Sequence, residues 1–340
     1  MKSINNLCVV VPNWNGRDSL GDCLDSLLQQ TAPLTVVVVE NGSIDGSPEW
    51  LADKYPQVVV LPQPVNLGFA GGVNVGIRYA IDNDYGAVAL FNNDAVAKHD
   101  WAEKLSASLF GHRKVGITTG TFMSQDKKHL DSTGDIYTNW GLPFPRGRGE
   151  TPTGQYDQQT DIFGATGGAS LYRVDMLKQI GLFDEDFFAY YEDVDISFRA
   201  QLAGWQTRFV PEAVAYHQIG ATSSKIKGFT TYQTMKNLPW LLIKNVPARY
   251  LWHIIPRFSL AYLFFIASAI QRHQGTFAFK GVGKSLLLLP KKLWQRRDIQ
   301  KSRKVSDEYI WGLITHDLPP NALKLRKLRA AWWRLTRRQP

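Results

Sequence analysis

The chain has 340 residues, 44% hydrophobic and 20% charged, enough to bury a sizeable core and to exclude disorder throughout. Two cysteines, Cys8 and Cys23, supply neither a disulfide framework nor the four ligands of a structural zinc site, so a reducing compartment is expected. The net charge of +9 conceals an asymmetry: residues 1–224 carry 16 Lys+Arg against 26 Asp+Glu, whereas residues 225–340 carry 23 against 4. That split predicts two units, 1–224 and 225–340, the second facing phosphates of lipid or nucleic acid.

The N-terminus, MKSINNLCVVVPNWNG, lacks the apolar segment and cleavage site of a secretory signal and reads as a first strand. From residue 7 to about 120, the runs LCVVVP (7–12), TVVVVE (35–40), QVVVLP (57–62), AVALF (87–91) and VGITTG (115–120) alternate with helix-length segments at 17–30, 46–54, 71–83 and 99–111. Val-rich strands separated by helices predict an α/β fold, a parallel sheet covered on both faces, with ligands at the carboxyl ends of the strands. Residues 124–161 break the pattern and read as binding loops or lids, rich in Gly, Pro, Thr and aromatics. Next come GATGGASLYR (164–173), a helical DMLKQIG ending at Gly181, and the acidic FDEDFFAYYEDVDISFRAQLAGW (183–205). From about 225 the chain turns aromatic, Leu-rich and basic. Its most apolar piece, FSLAYLFFIASAI (258–270), is 13 residues long, short of the roughly 20 that span a bilayer, so a helix lying in the membrane interface is expected.

Several groups of residues carry candidate chemistry. Asp94, at the end of AVALF-Asn92-Asn93, offers a hard oxygen ligand for a divalent cation against a diphosphate, although Asn-Asn-Asp is also turn and cap chemistry. Glu40 at a strand tip offers an acceptor for a nucleobase or ribose, with capping by Ser43 to Ser47 as the competing reading. The glycines of Asn66-Leu-Gly68-Phe-Ala-Gly-Gly permit close backbone approach at a helix start, without the register of a dinucleotide fingerprint. Gly281-Val-Gly-Lys-Ser285 resembles the end of a phosphate loop but lacks its first glycine and a preceding strand, and reads as a basic helical surface. Glu192, Asp193 and Asp195 crowd three carboxylates beside Tyr190 and Tyr191, a setting for a base of raised pKa or for a solvated helix N-terminus. His217 ends a last strand, and its interest depends on whether it meets Asp94.

Taken in order, VVVPNWNG, VVVVENGSIDGS, NLGFAGGVNVGI, LFNNDA, GATGGASLYR, GLFDEDFFAYYEDVDISFRAQLAGW and AVAYHQIGATSS resemble the family-2 glycosyltransferases of GT-A fold, nearest to the rhamnosyltransferase-like branch that builds bacterial surface polysaccharides. The resemblance spans residues 7–224 and implies a catalytic domain there, with 225–340 a basic helical region that associates with membrane. It implies that Pro12, Asn13 and Glu40 lie against the nucleoside, that Asn66 and Gly68 shape its pocket with Asn93 on the donor side, and that Asp94 with His217 holds Mg2+ or Mn2+. Asn92 stands where many relatives have the first Asp of the metal motif, and Glu40 where they have Asp. Asp193 matches the catalytic base and Glu192 its acidic neighbour, while Arg146, Arg148 and Arg173 are candidates for acceptor or phosphate contacts. The implied activity is inverting transfer of L-rhamnose from dTDP-L-rhamnose to a lipid-linked glycan, at an anionic membrane surface on the cytoplasmic face of the bacterial plasma membrane. Glucose, galactose or N-acetylglucosamine donors are alternatives within the fold. A non-enzymatic basic protein binding membrane or nucleic acid is the alternative outside it, and the acidic first part disfavours nucleic acid.

Overall fold

The computed structural model describes residues 6–217 and 226–336. The boundary expected at 224/225 and the end of the AVAYHQIGATSS segment lie outside the described residues, as do the side chains of Trp332 and Trp333.

The Val-rich runs form β1 (Leu7–Asn13), β2 (Leu34–Glu40), β3 (Val59–Pro62) and β4 (Ala87–Phe91), connected through α1 (Arg17–Leu28), α2 (Ser47–Lys54) and α3 (Gly68–Asp82). These strands are parallel, with β1 between β2 and β4. Each is apolar at successive positions because both faces are covered. Val9, Val11, Val36 and Val38 pack with α1, while Val10, Val37 and Val39 pack with α3. Beyond β4 come β5 (Ala95–Ala97), α4 (Trp101–Gly111) and β6 (Val115–Ser124). The stretch expected as loops holds four short strands, β7 (Leu130–Ser132), β8 (Asp135–Tyr137), β9 (Pro143–Pro145) and β10 (Thr160–Ile162). The first part closes with β11 (Ala169–Arg173), α5 (Val174–Ile180), α6 (Glu192–Leu202) and β12 (Gln206–His217).

The main sheet runs β10-β12-β6-β11-β4-β1-β2-β3, with β5 on β12 and β7 on β6, and β8 pairs with β9 in a separate ribbon. Because β11 is antiparallel to both β4 and β6, the sheet is mixed rather than parallel throughout.

The last third is helical: α7 (Phe229–Asn245), α8 (Ala248–Gln271), α9 (Gly275–Leu287), α10 (Leu289–Lys301), α11 (Asp307–Leu313) and α12 (Leu323–Thr336). The helix expected over 258–270 starts at Ala248 and continues through Pro256. It is long and apolar enough, by length and composition alone, to cross a membrane. The stripe Tyr250, Ile254, Phe258 and Ala261 is buried on both sides of the proline, and tertiary packing there outweighs the lost hydrogen bond. These helices share a core with Tyr137, Trp140, Phe163, Phe187 and Phe198 of the first part. Gly281-Val-Gly-Lys-Ser285 lies within α9, against α7, and not in a loop after a strand.

Candidate active site

The carboxyl ends of β1 and β4, the starts of α3 and α6 and the end of β12 open onto one cleft of about 850 Å³. Pro12, Asn13, Asn66, Gly68, Asn93, Asp94, Glu192, Asp193 and His217 all line it. Glu40 does not. The parallel register sets it beside Asn13, where it is 2% exposed and accepts hydrogen bonds from Asn13 Nδ2 at 2.7 Å and from the Ser43 hydroxyl. With its amide nitrogen held by Glu40, Asn13 turns Oδ1 to accept from Asn93 Nδ2 at 2.8 Å. Asn41 accepts the Leu67 N–H at 2.9 Å and donates to the Gly68 carbonyl at 3.1 Å, fixing the turn into α3. Gly68 has φ +73 there, and a Cβ would collide with the Phe188 carbonyl, so the close approach needs glycine.

Strand register also builds the second corner. Antiparallel pairing of β12 with β5 sets His217 opposite Ala95, which brings its Nε2 within 3.3 Å of Asp94 Oδ1 and 3.1 Å of Asn92 Nδ2. Its Nδ1 lies 2.8 Å from Asp131 Oδ2, and the ring stacks on Phe122 with centroids 4.6 Å apart. Arg148 Nη2 binds the other Asp131 oxygen at 2.8 Å. Burial disfavours the charged imidazole, but the Asp131 and Asp94 carboxylates outweigh it and raise His217 to about 9. Asp131 is likewise pushed up by burial and drawn below its ordinary range by His217 and Arg148. With Nδ1 committed to a carboxylate, Nε2 is the nitrogen a cation beside Asp94 would take, displacing the proton it carries when the site is empty. Among the described residues no three such side chains form a complete metal site. A hard cation on a diphosphate needs only one or two protein ligands, phosphate and water oxygens supplying the rest, so these residues fit Mg2+ or Mn2+.

The third corner is the entry to α6. Phe188, Tyr190 and Tyr191 have φ of 63, 69 and 73, left-handed backbone that costs on the order of 1–3 kcal/mol per residue. Helix α7 holds it: the Asn237 amide donates to the carbonyls of Phe187, Ala189 and Tyr190 at 3.0, 2.9 and 2.8 Å, and Lys236 Nζ donates to those of Asp186 and Phe187. Beyond this turn, Asp193 accepts the Gly167 N–H at 2.9 Å and the Val194 N–H at 2.8 Å. Burial pushes Asp193 above the ordinary carboxylate range, and those N–H groups and Arg148 moderate the rise. Burial and the Asp193 charge push Glu192 further up, and its Oε2 has no hydrogen-bond partner among the described residues. Asp195, the third carboxylate of the run, faces the interior instead. It pairs with Lys244 at 2.8 Å and Arg199 at 2.9 Å, which outweigh burial and hold it low.

Two acidic residues at the site escaped the sequence reading, Asp135 in the cleft wall and Asp131 behind His217. Asp131 and Asp135 sit in a polar, Gly-containing stretch that looks like turn chemistry, and only strand pairing shows their partners. Asp135, 6% exposed, lines the cleft and is pushed well up by burial and by the Asp193 charge. Of the three arginines, Arg148 alone lines the cleft. Arg146 covers the Tyr156 ring at 4.4 Å, and Arg173 is tied to the carbonyls of Leu109, His112 and Val115.

Residues 8–181, just over half of the chain, match the family described as Glycosyl transferase family 2. Over 231 residues the chain is 28% identical to the N-acetylglucosaminyl-diphospho-decaprenol L-rhamnosyltransferase of Mycobacterium tuberculosis, covering 62% of this chain and 75% of that protein. It is 25% identical over 250 residues to the dTDP-rhamnosyl transferase RfbF of Shigella flexneri, covering 71% and 81%. Among solved structures, S. aureus TarS 1–349 in complex with UDP-GlcNAc matches with a TM-score of 0.55 over 87% of this chain and 91% of that one, at 16% identity, a likeness of fold.

Proposed function

The chain belongs to glycosyl transferase family 2, and on that premise we propose that it is an inverting, metal-assisted transferase moving L-rhamnose from dTDP-L-rhamnose to a lipid-linked glycan. The two relatives named for rhamnosyl transfer, one of them to a diphospho-decaprenol acceptor, support this donor and acceptor. The observation that carries the reading is one cleft holding Asp193, its pKa raised, together with the Asp94 and His217 pair.

In the proposed reaction the acceptor hydroxyl oxygen bonds to the anomeric carbon of the donor while the bond from that carbon to the diphosphate oxygen breaks. Asp193 takes the hydroxyl proton, and the nucleoside diphosphate leaves with the bonding pair. Asp193 is aimed by its two backbone N–H bonds, and its raised pKa improves it as a base near neutral pH. Pro12, Asn13 and Asn66 with Gly68 form the nucleoside wall, where Glu40 acts from behind by orienting Asn13, and Asn93 continues that wall towards the diphosphate. Asp94 and His217 would hold Mg2+ or Mn2+, which when bound offsets the charge developing on the diphosphate. Glu192 keeps the surroundings of Asp193 acidic and dry.

The proposed location is peripheral, on the cytoplasmic face of the bacterial plasma membrane, with α8 to α10 against an anionic surface. Supporting this are the exposed Trp252, Leu263, Leu286, Leu287 and Trp294 among many basic residues. The test offers purified full-length chain dTDP-L-rhamnose, UDP-glucose, UDP-galactose and UDP-GlcNAc in turn with extracted lipid acceptor and Mn2+, reading nucleoside diphosphate release. Acceptor-dependent release from dTDP-L-rhamnose is expected, reduced about 10²-fold or more in Asp193→Asn with nucleotide binding retained. Full turnover in that variant refutes the base, and full turnover in excess chelator refutes the cation.

A further inference from the structure

A second hollow, about 470 Å³, opens between the start of α8 and the length of α10 and shares no lining residue with the catalytic cleft. Its walls are Ala248 and Leu293 on the apolar side and Arg296, Arg297, Arg303 and Asp307 on the charged side. The charges do not cancel. Asp307 pairs with Arg303. Arg296 donates to the carbonyls of Ile243 and Val246, both at 2.7 Å, partners that order the guanidinium without neutralising it. Arg297 makes no hydrogen bond or ion pair among the described residues. Two guanidinium charges thus face a hollow with one carboxylate already spent on a third, a setting that a phosphate oxyanion satisfies through forked N–H donors.

The lip of the hollow says where that phosphate comes from. Leu293 and Arg297 are one turn apart on α10, and Ala248, Trp252 and Ile255 recur at helical spacing on α8. Leu293 is 51%, Trp294 64% and Trp252 68% exposed, so large apolar side chains flank the arginines on the open side. A free phosphate has no use for that lip, whereas a lipid buries its glycerol and acyl region against it while its headgroup enters the hollow.

We propose that the hollow between α8 and α10 binds the phosphate of an anionic membrane lipid, with Arg296 and Arg297 as its charged contacts and Leu293, Trp294 and Trp252 as its apolar lip. The proposal rests on the peripheral membrane reading above and deepens it by naming the site and the lipid chemistry.

The experiment is flotation of the full-length chain with vesicles of phosphatidylcholine with and without phosphatidylglycerol, at fixed ionic strength. The parent should bind the phosphatidylglycerol vesicles, and Arg296→Gln/Arg297→Gln should bind them about 30-fold less tightly, about fivefold per arginine. Arg297→Gln alone, which breaks no internal pair, should lose about fivefold with an unchanged melting temperature. Arg113→Gln/Lys178→Gln, which removes two exposed charges from the catalytic half, should bind like the parent. Equal loss in that control pair, or none in the Arg296/Arg297 pair, overturns the site while leaving membrane association standing. Calorimetric binding of pyrophosphate that the Arg296/Arg297 variant abolishes, with vesicle binding intact, assigns the hollow to a free phosphate and overturns the lipid. A parent chain that ignores phosphatidylglycerol vesicles sinks this proposal and the peripheral reading together.

Discussion

Crowded carboxyl groups give the cleft its chemistry and cost it stability. Glu192, Asp193 and Asp135 are each pushed above the ordinary range, by burial first. A carboxyl whose native pKa exceeds its unfolded value of about 4 binds its proton more tightly in the fold, so it destabilises the fold once pH rises past that value. Asp135→Asn removes one such group, and its melting temperature should exceed the parent's at pH 7, with the gain fading below about pH 4, where both states are protonated. A gain that persists at low pH, or none at neutral pH, contradicts the account. The same raised range places the acid limb of kcat/KM above about 4, with activity falling as pH drops through the native pKa of Asp193. On the donor side, Asp131 acts at one remove by holding His217 Nδ1 at 2.8 Å, and Arg148 holds Asp131. Asp131→Asn should weaken Mn2+ binding in the presence of dTDP by about 10- to 100-fold, read by Mn2+ electron paramagnetic resonance. An unchanged Mn2+ affinity with a lowered melting temperature leaves Asp131 a purely structural role.

At the scale of elements, the decisive contact is α7 against the turn into α6. Three carbonyl acceptors, of Phe187, Ala189 and Tyr190, on one Asn237 amide hold backbone that would otherwise relax, and that backbone points Asp193 into the cleft. Asn237→Ala should lower kcat about tenfold or more while leaving nucleotide affinity near the parent's, because about 1–3 kcal/mol of buried hydrogen bonding is lost away from the donor wall. Equal damage to nucleotide binding counts against a role confined to the turn. Sequence alone made the parallel half legible, since strands buried on both faces are continuous apolar runs and α1 to α4 carry their own periodicity. Strands β7 to β10 were not legible, because three residues are too few to show a period. Nor was Asp131, whose partnership with His217 arises when β6 pairs with β7 on one side and β12 on the other. The extent of α8 was missed because Pro256 reads locally as a stop, whereas the buried stripe from Tyr250 to Ala261 runs past it. Glu40 was placed at the right strand tip, but its side chain is consumed by Asn13 and Ser43.

Across the whole molecule, the charge asymmetry that first suggested two units also fastens them together. Lys244 of α7 bridges Asp184 at 2.6 Å and Asp195 at 2.8 Å, and Lys292 of α10 bridges Asp184 at 2.8 Å and Asp186 at 2.7 Å. Both lysines are almost fully buried, so part of the positive charge of the last third faces inward and only the remainder is free to meet a membrane. The same helices pack Leu238, Trp240 and Leu241 against Phe187 and Phe198 in one apolar core, so single substitutions probe this junction more cleanly than removal of 225–340. Burial works against ionised Asp184 and Asp195, and the lysines more than compensate, holding both below the ordinary range. Their contribution to stability is therefore fully present above an unfolded pKa of about 4 and is lost as pH falls below it towards the lower native values. Lys244→Met keeps most of the side-chain volume but leaves two buried carboxylates short of a partner. That change should cost about 3–5 kcal/mol at pH 7, read as a lower urea midpoint. Because the variant no longer holds those two carboxyl groups low, its stability should fall less steeply than the parent's on acidification below about pH 4. A Lys244→Met chain with the parent's urea midpoint and the parent's acid sensitivity would mean that the bridge is incidental and that the apolar core alone joins the helices to the catalytic half.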